Sequence, residues 1–81
     1  MNELMKFLEN HEGKRLWVLT PSGAFTGILE TIPEEVPNAI TLTNAFIFVA
    51  DMTSNVKEVS IDIHQITAWG SGELHFGRLH A

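Results

Sequence analysis

The chain has no cysteine and no tyrosine among its 81 residues, and only five residues are lysine or arginine. Without cysteine it can form neither disulfide bonds nor thiolate metal sites. Ten acidic residues give it a formal net charge of -5 at pH 7. A chain of this charge has no overall attraction for the phosphate backbone of nucleic acids. These absences exclude a disulfide scaffold and weigh against a general nucleic-acid binder.

The chain also lacks a continuous apolar run long enough to span a membrane. Residues 1–6 include charged side chains and do not form the apolar core of a signal peptide. We therefore expect a cytoplasmic protein without a membrane partner. The length allows a single domain over residues 1–81. Because so small a domain is marginally stable and cannot use disulfides, we expect a homo-oligomer.

Hydrophobic periodicity predicts one helix followed by five short strands. The helix covers about residues 2–11, with Asn2 as its N-cap and Gly13 at its end. Its apolar face, expected to pack on the strands, consists of Leu4, Phe7, Leu8 and His11. The strands are predicted at about residues 14–20, 24–32, 39–50, 56–63 and 66–69. Turns or loops are expected between them, including one at 51–55 and a flexible break at 70–72.

Two glycines near the second strand indicate its shape. Pro21-Ser22-Gly23 has the composition of a turn, and Gly27 lies inside the strand that follows. An interior glycine marks a bend, a bulge or a close approach of another backbone. We therefore assign structural roles to Gly23 and Gly27. The predicted fold is mainly β, a small, strongly bent five-stranded antiparallel barrel over about 14–69 with an N-terminal α-helix, and residues 70–81 stay unassigned.

Some of the predicted strands are apolar on both faces. In the first strand Leu16 and Val18 point one way, and Trp17 and Leu19 point the other way. A strand of this kind needs a second cover, either the helix or a neighbouring subunit. The third strand has the same property over residues 46–49. We expect a subunit interface that includes Phe46, Phe48, Ile66 and Ala68.

Two groups of residues carry a family resemblance. The first group has a hydrophobic strand, a turn glycine, an aromatic residue, a second glycine and a leucine, here Val18, Gly23, Phe25, Gly27 and Leu29. The second is the strand, tight turn and short strand outlined by residues 59–66. Together they resemble the Sm-like family, which includes Sm, LSm and bacterial Hfq proteins, over roughly residues 3–69. The resemblance implies a homo-oligomeric ring of about five to seven subunits, in which the fourth strand pairs with the fifth strand of the next subunit.

The resemblance also implies single-stranded RNA binding at the face of the ring pore, by Asn38, Asp62, His64 and Gln65. The match there is incomplete. Sm and LSm proteins place an arginine and a glycine where this chain has Asp62 and Ile63, and aspartate repels phosphate. Hfq-type proteins place a lysine and a histidine at this turn; His64 matches the histidine, whereas Ile63 replaces the lysine. The family asparagine falls at Ala39, beside Asn38.

The sequence predicts no catalytic residue, no metal site and no cofactor. None of the four histidines has a zinc-site spacing, and Glu34 and Glu35 lie on a proline-bounded loop. There is neither a nucleophile elbow nor a phosphate-cradling loop. The leading hypothesis is thus a non-enzymatic, ring-forming Sm-like protein that binds RNA. The alternative, favoured by the acidic charge, is a structural ring that holds a protein partner and binds no nucleic acid.

Overall fold

The computed structural model describes residues 3–30 and 38–72. Their elements follow in chain order: α1 (Glu3–Glu9), β1 (Arg15–Thr20), β2 (Gly23–Leu29), β3 (Ala39–Val49), β4 (Met52–Asp62), a 3₁₀ turn (Ile63–Gln65) and β5 (Ala68–Ser71). The predicted N-cap Asn2, the acidic loop residues Glu34 and Glu35, and residues 73–81 of the unassigned tail lie outside the described residues.

The five strands form one antiparallel sheet in the order β4-β3-β2-β1-β5. Together with α1 and the strong bend described below, this order confirms the predicted mainly-β fold. Within the described part of the chain, β4 pairs only with β3, and β5 pairs only with β1. The two edge strands therefore do not close the barrel on each other, and each keeps one side for other partners.

The sheet bends at Gly27. The register of β2 against β3 shifts there, so that Asn44 and Ala45 of β3 together face this one glycine. Asn44 has a φ of 49°, which is the left-handed conformation that asparagine tolerates. A Cβ at Gly27 would lie 3.0 Å from the Thr43 carbonyl oxygen and 3.2 Å from the Ala45 Cα. Close approach of β3, rather than an unusual backbone angle, is thus the reason for a glycine here.

The helix contributes two leucines to the core. Leu8 of α1 is completely buried, and Leu4 is 6% exposed. They pack with the inward side chains of the bent sheet, which are Leu16, Val18, Leu29, Ile40, Leu42, Ala45 and Ile61. The prediction that the helix stripe packs on the strands is confirmed. The chain leaves the helix through Gly13, whose φ is 79° and whose N–H donates to the Leu29 carbonyl at 2.8 Å.

A histidine ties the end of α1 to the edge strand β5. The helix ends at Glu9, two residues earlier than expected, and His11 lies in the turn that follows. Its ring stacks on Phe7 with 4.0 Å between ring centroids. Nδ1 lies 2.8 Å from the Phe7 carbonyl oxygen, and Nε2 lies 2.7 Å from the Ser71 hydroxyl. Because a carbonyl only accepts, Nδ1 donates, and in the neutral ring Nε2 accepts from Ser71.

Both expected ends of the fourth strand are wrong. The strand β4 begins at Met52 instead of Val56, since the turn that precedes it takes only two residues, Ala50 and Asp51. The left-handed φ of 55° at Ala50 makes this tight turn. At the other end, β4 stops at Asp62, and Ile63 belongs to the 3₁₀ turn.

The last strand is displaced by two residues from the expectation. It covers Ala68–Ser71 instead of 66–69, so the predicted flexible break at 70–72 is wrong in its first two residues. Gly70 pairs with Trp17, and Ser71 pairs with Leu16. The Trp17 indole lies directly on Gly70, where a Cβ would overlap the ring. Glycine and serine have the composition of a loop, but here the glycine provides the space that a tryptophan on β1 needs.

Candidate nucleic-acid interface

The candidate RNA-binding residues meet at the end of the sheet where β3 begins and β4 ends. Ala39 pairs with Asp62 across these two strands. One residue further, the Ile63 N–H donates to the Asn38 carbonyl at 2.9 Å. The backbone of Asn38 therefore lies against the 3₁₀ turn that carries His64 and Gln65. We call Asn38, Asp62, His64 and Gln65 the turn site.

Asp62 caps the 3₁₀ turn. Its backbone is extended, with φ -68° and ψ 121°, and its Oδ1 accepts the backbone N–H of His64 at 2.8 Å. The same Oδ1 lies 3.0 Å from Nδ1 of the His64 ring. Because a carboxylate can only accept, Nδ1 carries the proton, and the neutral ring then has an unprotonated Nε2. Both hydrogen bonds end on Oδ1, and Oδ2 takes part in neither.

These contacts set the charge of the turn site. The hydrogen bond from the His64 backbone N–H, and after it the bond from the His64 ring, hold the pKa of Asp62 below its ordinary value. The carboxyl group is therefore ionised at neutral pH. The side chains of Asp62 and His64 are 57% and 72% exposed, so a ligand can reach both.

The other two members of the turn site contribute amide groups. Asn38 and Gln65 are both exposed. A side-chain amide offers donors as well as an acceptor, which suits the edges of nucleic-acid bases. The nearest lysine along β4, Lys57, is five residues from Asp62, or about 17 Å along an extended strand. The turn site thus combines a fixed negative charge with neutral hydrogen-bonding groups.

The four residues expected at a subunit interface lie elsewhere. Phe46 is 38% exposed on β3, and Phe48 of the same strand is half-buried. Ile66 is half-buried and packs against the core. Ala68 is half-buried in the edge strand β5. A Cβ at Gly23 would come within 2.5 Å of the Phe48 carbonyl oxygen, so the turn glycine lets β2 approach β3 closely.

Sequence reasoning missed an open cavity of about 590 Å³ at the end of the sheet opposite the turn site. Its lining includes Leu19, Ala24, Phe48, Met52 and Thr67. The register places Leu19 opposite Ala24 and Ala24 opposite Phe48. Leu19, Ala24 and Phe48 therefore share the face of the sheet opposite to the inward Leu16 and Val18 of β1. The apolar pattern on both faces of β1 is visible in the sequence, but the convergence of these side chains depends on strand register.

The described residues contain no group of three or more histidine, aspartate or glutamate side chains that could hold a metal ion. Two of the four histidines, His75 and His80, lie outside the described range. Among the described helices, none is long and apolar enough to cross a membrane.

Comparison with known proteins gives a match in structure alone. No family model and no curated protein sequence matches the chain. Solved structures with similar folds include three Sm proteins. A heptameric archaeal Sm protein matches with a TM-score of 0.67 and 14% identity, over 84% of this chain and 98% of that one. The SmAP1 heptamer of P. aerophilum matches with a TM-score of 0.69 and 15% identity, over 90% of this chain and 97% of that one.

The third is the Sm protein of Pyrococcus abyssii, solved in complex with a uridine heptamer. It matches with a TM-score of 0.68 and 14% identity, over 88% of this chain and 100% of that one. All three are described as Sm proteins. The strand order, the bend at Gly27 and these three matches lead to one conclusion: the chain has the Sm-like fold.

Proposed function

We propose that this protein forms a homo-oligomeric ring and binds single-stranded RNA at the turn site. The observation that carries the proposal is an Sm-like sheet with two unequal edges, β4 and β5, and the exposed Asp62–His64 turn beside β4. Two of the similar structures are heptamers, and a third contains a uridine heptamer. We extend ring formation and RNA binding from these proteins to this chain as a hypothesis.

Unequal edges favour head-to-tail assembly. The strand β4 has 11 residues and β5 has four. If β4 of one copy pairs with β5 of the next, every open row of subunits still ends in one unpaired β4 and one unpaired β5. Closing the row into a ring pairs these two edges with each other. The ring has about five to seven subunits. We place Ala68 and Ile66 at this interface, together with Phe46 and Phe48 of the strand beside β4.

Light scattering at micromolar concentration tests the ring. We expect a mass of roughly five to seven times the 9.0 kDa of one chain. Ala68→Lys puts a charge into the edge strand and should break the ring into smaller species. Ser22→Lys adds the same side chain on the exposed β1–β2 turn and should leave the mass unchanged. A monomeric wild-type protein would contradict the ring.

The RNA part of the proposal predicts weak binding. Asp62 is ionised and exposed, and it repels phosphate where the resembling proteins carry an arginine. Since few phosphates are neutralised, the affinity should depend little on salt. Replacing Asp62 with arginine removes a repulsive charge and adds a stacking plane in every subunit.

A titration with a short uridine-rich RNA at two salt concentrations tests this site. Asp62→Arg should bind more tightly than wild type and should become more sensitive to salt. Glu58→Arg makes the same charge change on β4 outside the turn site and should gain less. An Asp62→Arg ring that gains no affinity would show that the turn is not a nucleic-acid site. Tight wild-type binding that survives loss of His64 would instead indicate another surface, near Lys14, Arg15 and Lys57.

The acidic composition favours a second candidate function. Ten acidic residues oppose five basic ones, and the cavity near Phe48 is lined by apolar side chains together with Asp51 and three threonines. A scaffold ring that holds a protein partner would need no attraction for phosphate. This candidate replaces the first if the ring forms and Asp62→Arg binds no RNA.

A further inference from the structure

The turn site holds a carboxylate with one oxygen occupied and the other available. Two donors of the same residue, the backbone N–H and the ring Nδ1–H of His64, end on Asp62 Oδ1 at 2.8 and 3.0 Å. They fix the carboxylate plane before any ligand arrives. Oδ2 takes part in neither bond, and the side chain is 57% exposed. Oδ2 is therefore an oriented acceptor that a ligand can reach.

His64 adds a second acceptor to the same surface. Because its Nδ1–H is used by Asp62, the neutral ring leaves Nε2 with a lone pair. The side chain is 72% exposed. With the ring neutral, Asp62 and His64 thus both present acceptors to a ligand. A ligand group that donates hydrogen bonds fits this pair, and a group that only accepts does not.

The bases of RNA differ in this respect. Cytosine and adenine carry an exocyclic amino group, and guanine carries an amino group beside a ring N–H. Uracil has one N–H between two carbonyl oxygens, so a carboxylate that approaches the N–H also meets an oxygen. Acidic side chains accept from the cytosine amino group in known base contacts.

We propose that Asp62 makes the turn site select bases that carry an exocyclic amino group and reject uracil. The inference rests on the proposed RNA-binding function and deepens it. It separates this chain from the Pyrococcus abyssii Sm protein that was solved with a uridine heptamer. Asp62 acts here as a specificity-determining residue, and its charge lowers affinity for every RNA equally through the phosphates.

The test compares a cytidine heptanucleotide with a uridine heptanucleotide at pH 8. The two RNAs have the same length and charge, so their phosphate contributions cancel. They differ in the amino or carbonyl group at the base edge and in the N3 proton. We expect wild-type protein to bind the cytidine RNA about tenfold more tightly, which corresponds to about 1.4 kcal/mol.

The informative variant is Asp62→Asn. Asparagine can still cap the 3₁₀ turn with its side-chain oxygen, so the fold should be kept. With its oxygen on the cap, its NH₂ group takes the place of Oδ2 and can donate either to a carbonyl oxygen of uracil or to the unprotonated N3 of cytosine. The cytidine-to-uridine affinity ratio should therefore fall to about one, and both RNAs should bind more tightly because a negative charge is gone. Glu58→Gln removes one negative charge from β4 outside the turn site and should keep the wild-type ratio.

The outcomes separate the two hypotheses. Equal affinities in wild type, a preference for uridine, or an unchanged ratio in Asp62→Asn would overturn the selectivity and leave RNA binding standing. Absence of binding of either RNA to wild type, Asp62→Asn and Asp62→Arg would overturn the proposed function, and the selectivity with it. A ratio that falls in Asp62→Asn and persists in Glu58→Gln supports the inference.

Discussion

Gly27 and Asp62 belong to the same sheet but to opposite environments. Gly27 is buried at the bend, and another backbone lies within 3.2 Å of the position its Cβ would take. Asp62 is at the exposed end of β4, and its side chain accepts two hydrogen bonds from a residue two positions away. Packing determines what is allowed at the bend, whereas charge and hydrogen bonding determine what the turn site can do. Substitutions near the bend should change stability, and substitutions in the turn site should change binding.

The largest effect is expected where α1 meets the bent sheet. Leu8 has no exposed surface, so Leu8→Ala removes buried methyl groups and leaves a cavity. We expect a loss of about 2–5 kcal/mol in the free energy of unfolding, measured by urea denaturation. Glu9→Ala on the exposed side of the same helix should change it by less than about 0.5 kcal/mol. A small loss in Leu8→Ala would show that the helix is not part of the core.

At the bend itself, Gly27→Val should lower the free energy of unfolding by about 1–3 kcal/mol. The added side chain would press on the Thr43 carbonyl and on Ala45. Thermal melting of Gly27→Ala and Gly27→Val gives a graded pair, in which alanine should cost less because it adds only the Cβ. Unchanged melting of both variants would mean that Gly27 occupies an ordinary strand position.

A smaller effect is expected at the link between α1 and β5. Ser71→Ala removes the hydroxyl that lies 2.7 Å from His11 Nε2. A loss of about 0.5–1.5 kcal/mol is expected, toward the lower end because Ser71 is exposed. A double-mutant cycle with His11→Ala measures the coupling between the two side chains. If the two losses simply add, this hydrogen bond does not stabilise the fold.

The smallest effect on stability belongs to the turn site. His64→Ala removes the ring hydrogen bond to Asp62 but keeps the backbone N–H, which is the larger cause of the lowered pKa. The pKa of Asp62 should therefore rise part of the way toward its ordinary value, as followed by NMR titration of the carboxyl carbon. A pKa that stays where it is in wild type would mean that the ring bond does not form in solution.

The sign of the pH effect follows from the same shift. Because the pKa of Asp62 is lower in the folded chain than in the unfolded chain, its stabilising contribution is present above the unfolded value. It disappears as the pH falls through the folded value. Melting temperatures of wild type and His64→Ala should therefore converge at acid pH. Melting temperatures that diverge as the pH falls would contradict the lowered pKa of Asp62.

The sequence predicted the bend better than the strand ends. An interior glycine between apolar residues has few interpretations, and Gly27 lies where the register shifts. The start of β4 at Met52 was missed because residues 51–55 are all exposed and four of the five are polar, as in a loop. Backbone hydrogen bonds to β3 hold this part of the strand. Such bonds do not depend on the side chains, so the hydrophobic pattern of the sequence does not reveal them. The same holds for Gly70 and Ser71, which pair with β1.

The candidate site was predictable in part. Asp62, His64 and Gln65 are neighbours along the chain, so their proximity needs no tertiary structure. The two hydrogen bonds on Oδ1 come from the 3₁₀ turn. The sequence predicted a tight turn here, but not a 3₁₀ turn. Only strand pairing brings Asn38 to the same end of the sheet. Which atom of Asp62 remains for a ligand could thus not be deduced from residue order.

The sequence alone determined the fold class, the helix stripe, the bending glycine and the acidic charge, because local periodicity and composition carry that information. The tertiary structure decided the strand order, the two unequal edges and the cavity on the outward face. These features depend on which distant residues face each other, and register is set by the packing of the whole sheet. Asp62 illustrates both contributions. The sequence determines its charge, and the fold determines the direction in which its carboxylate faces a ligand.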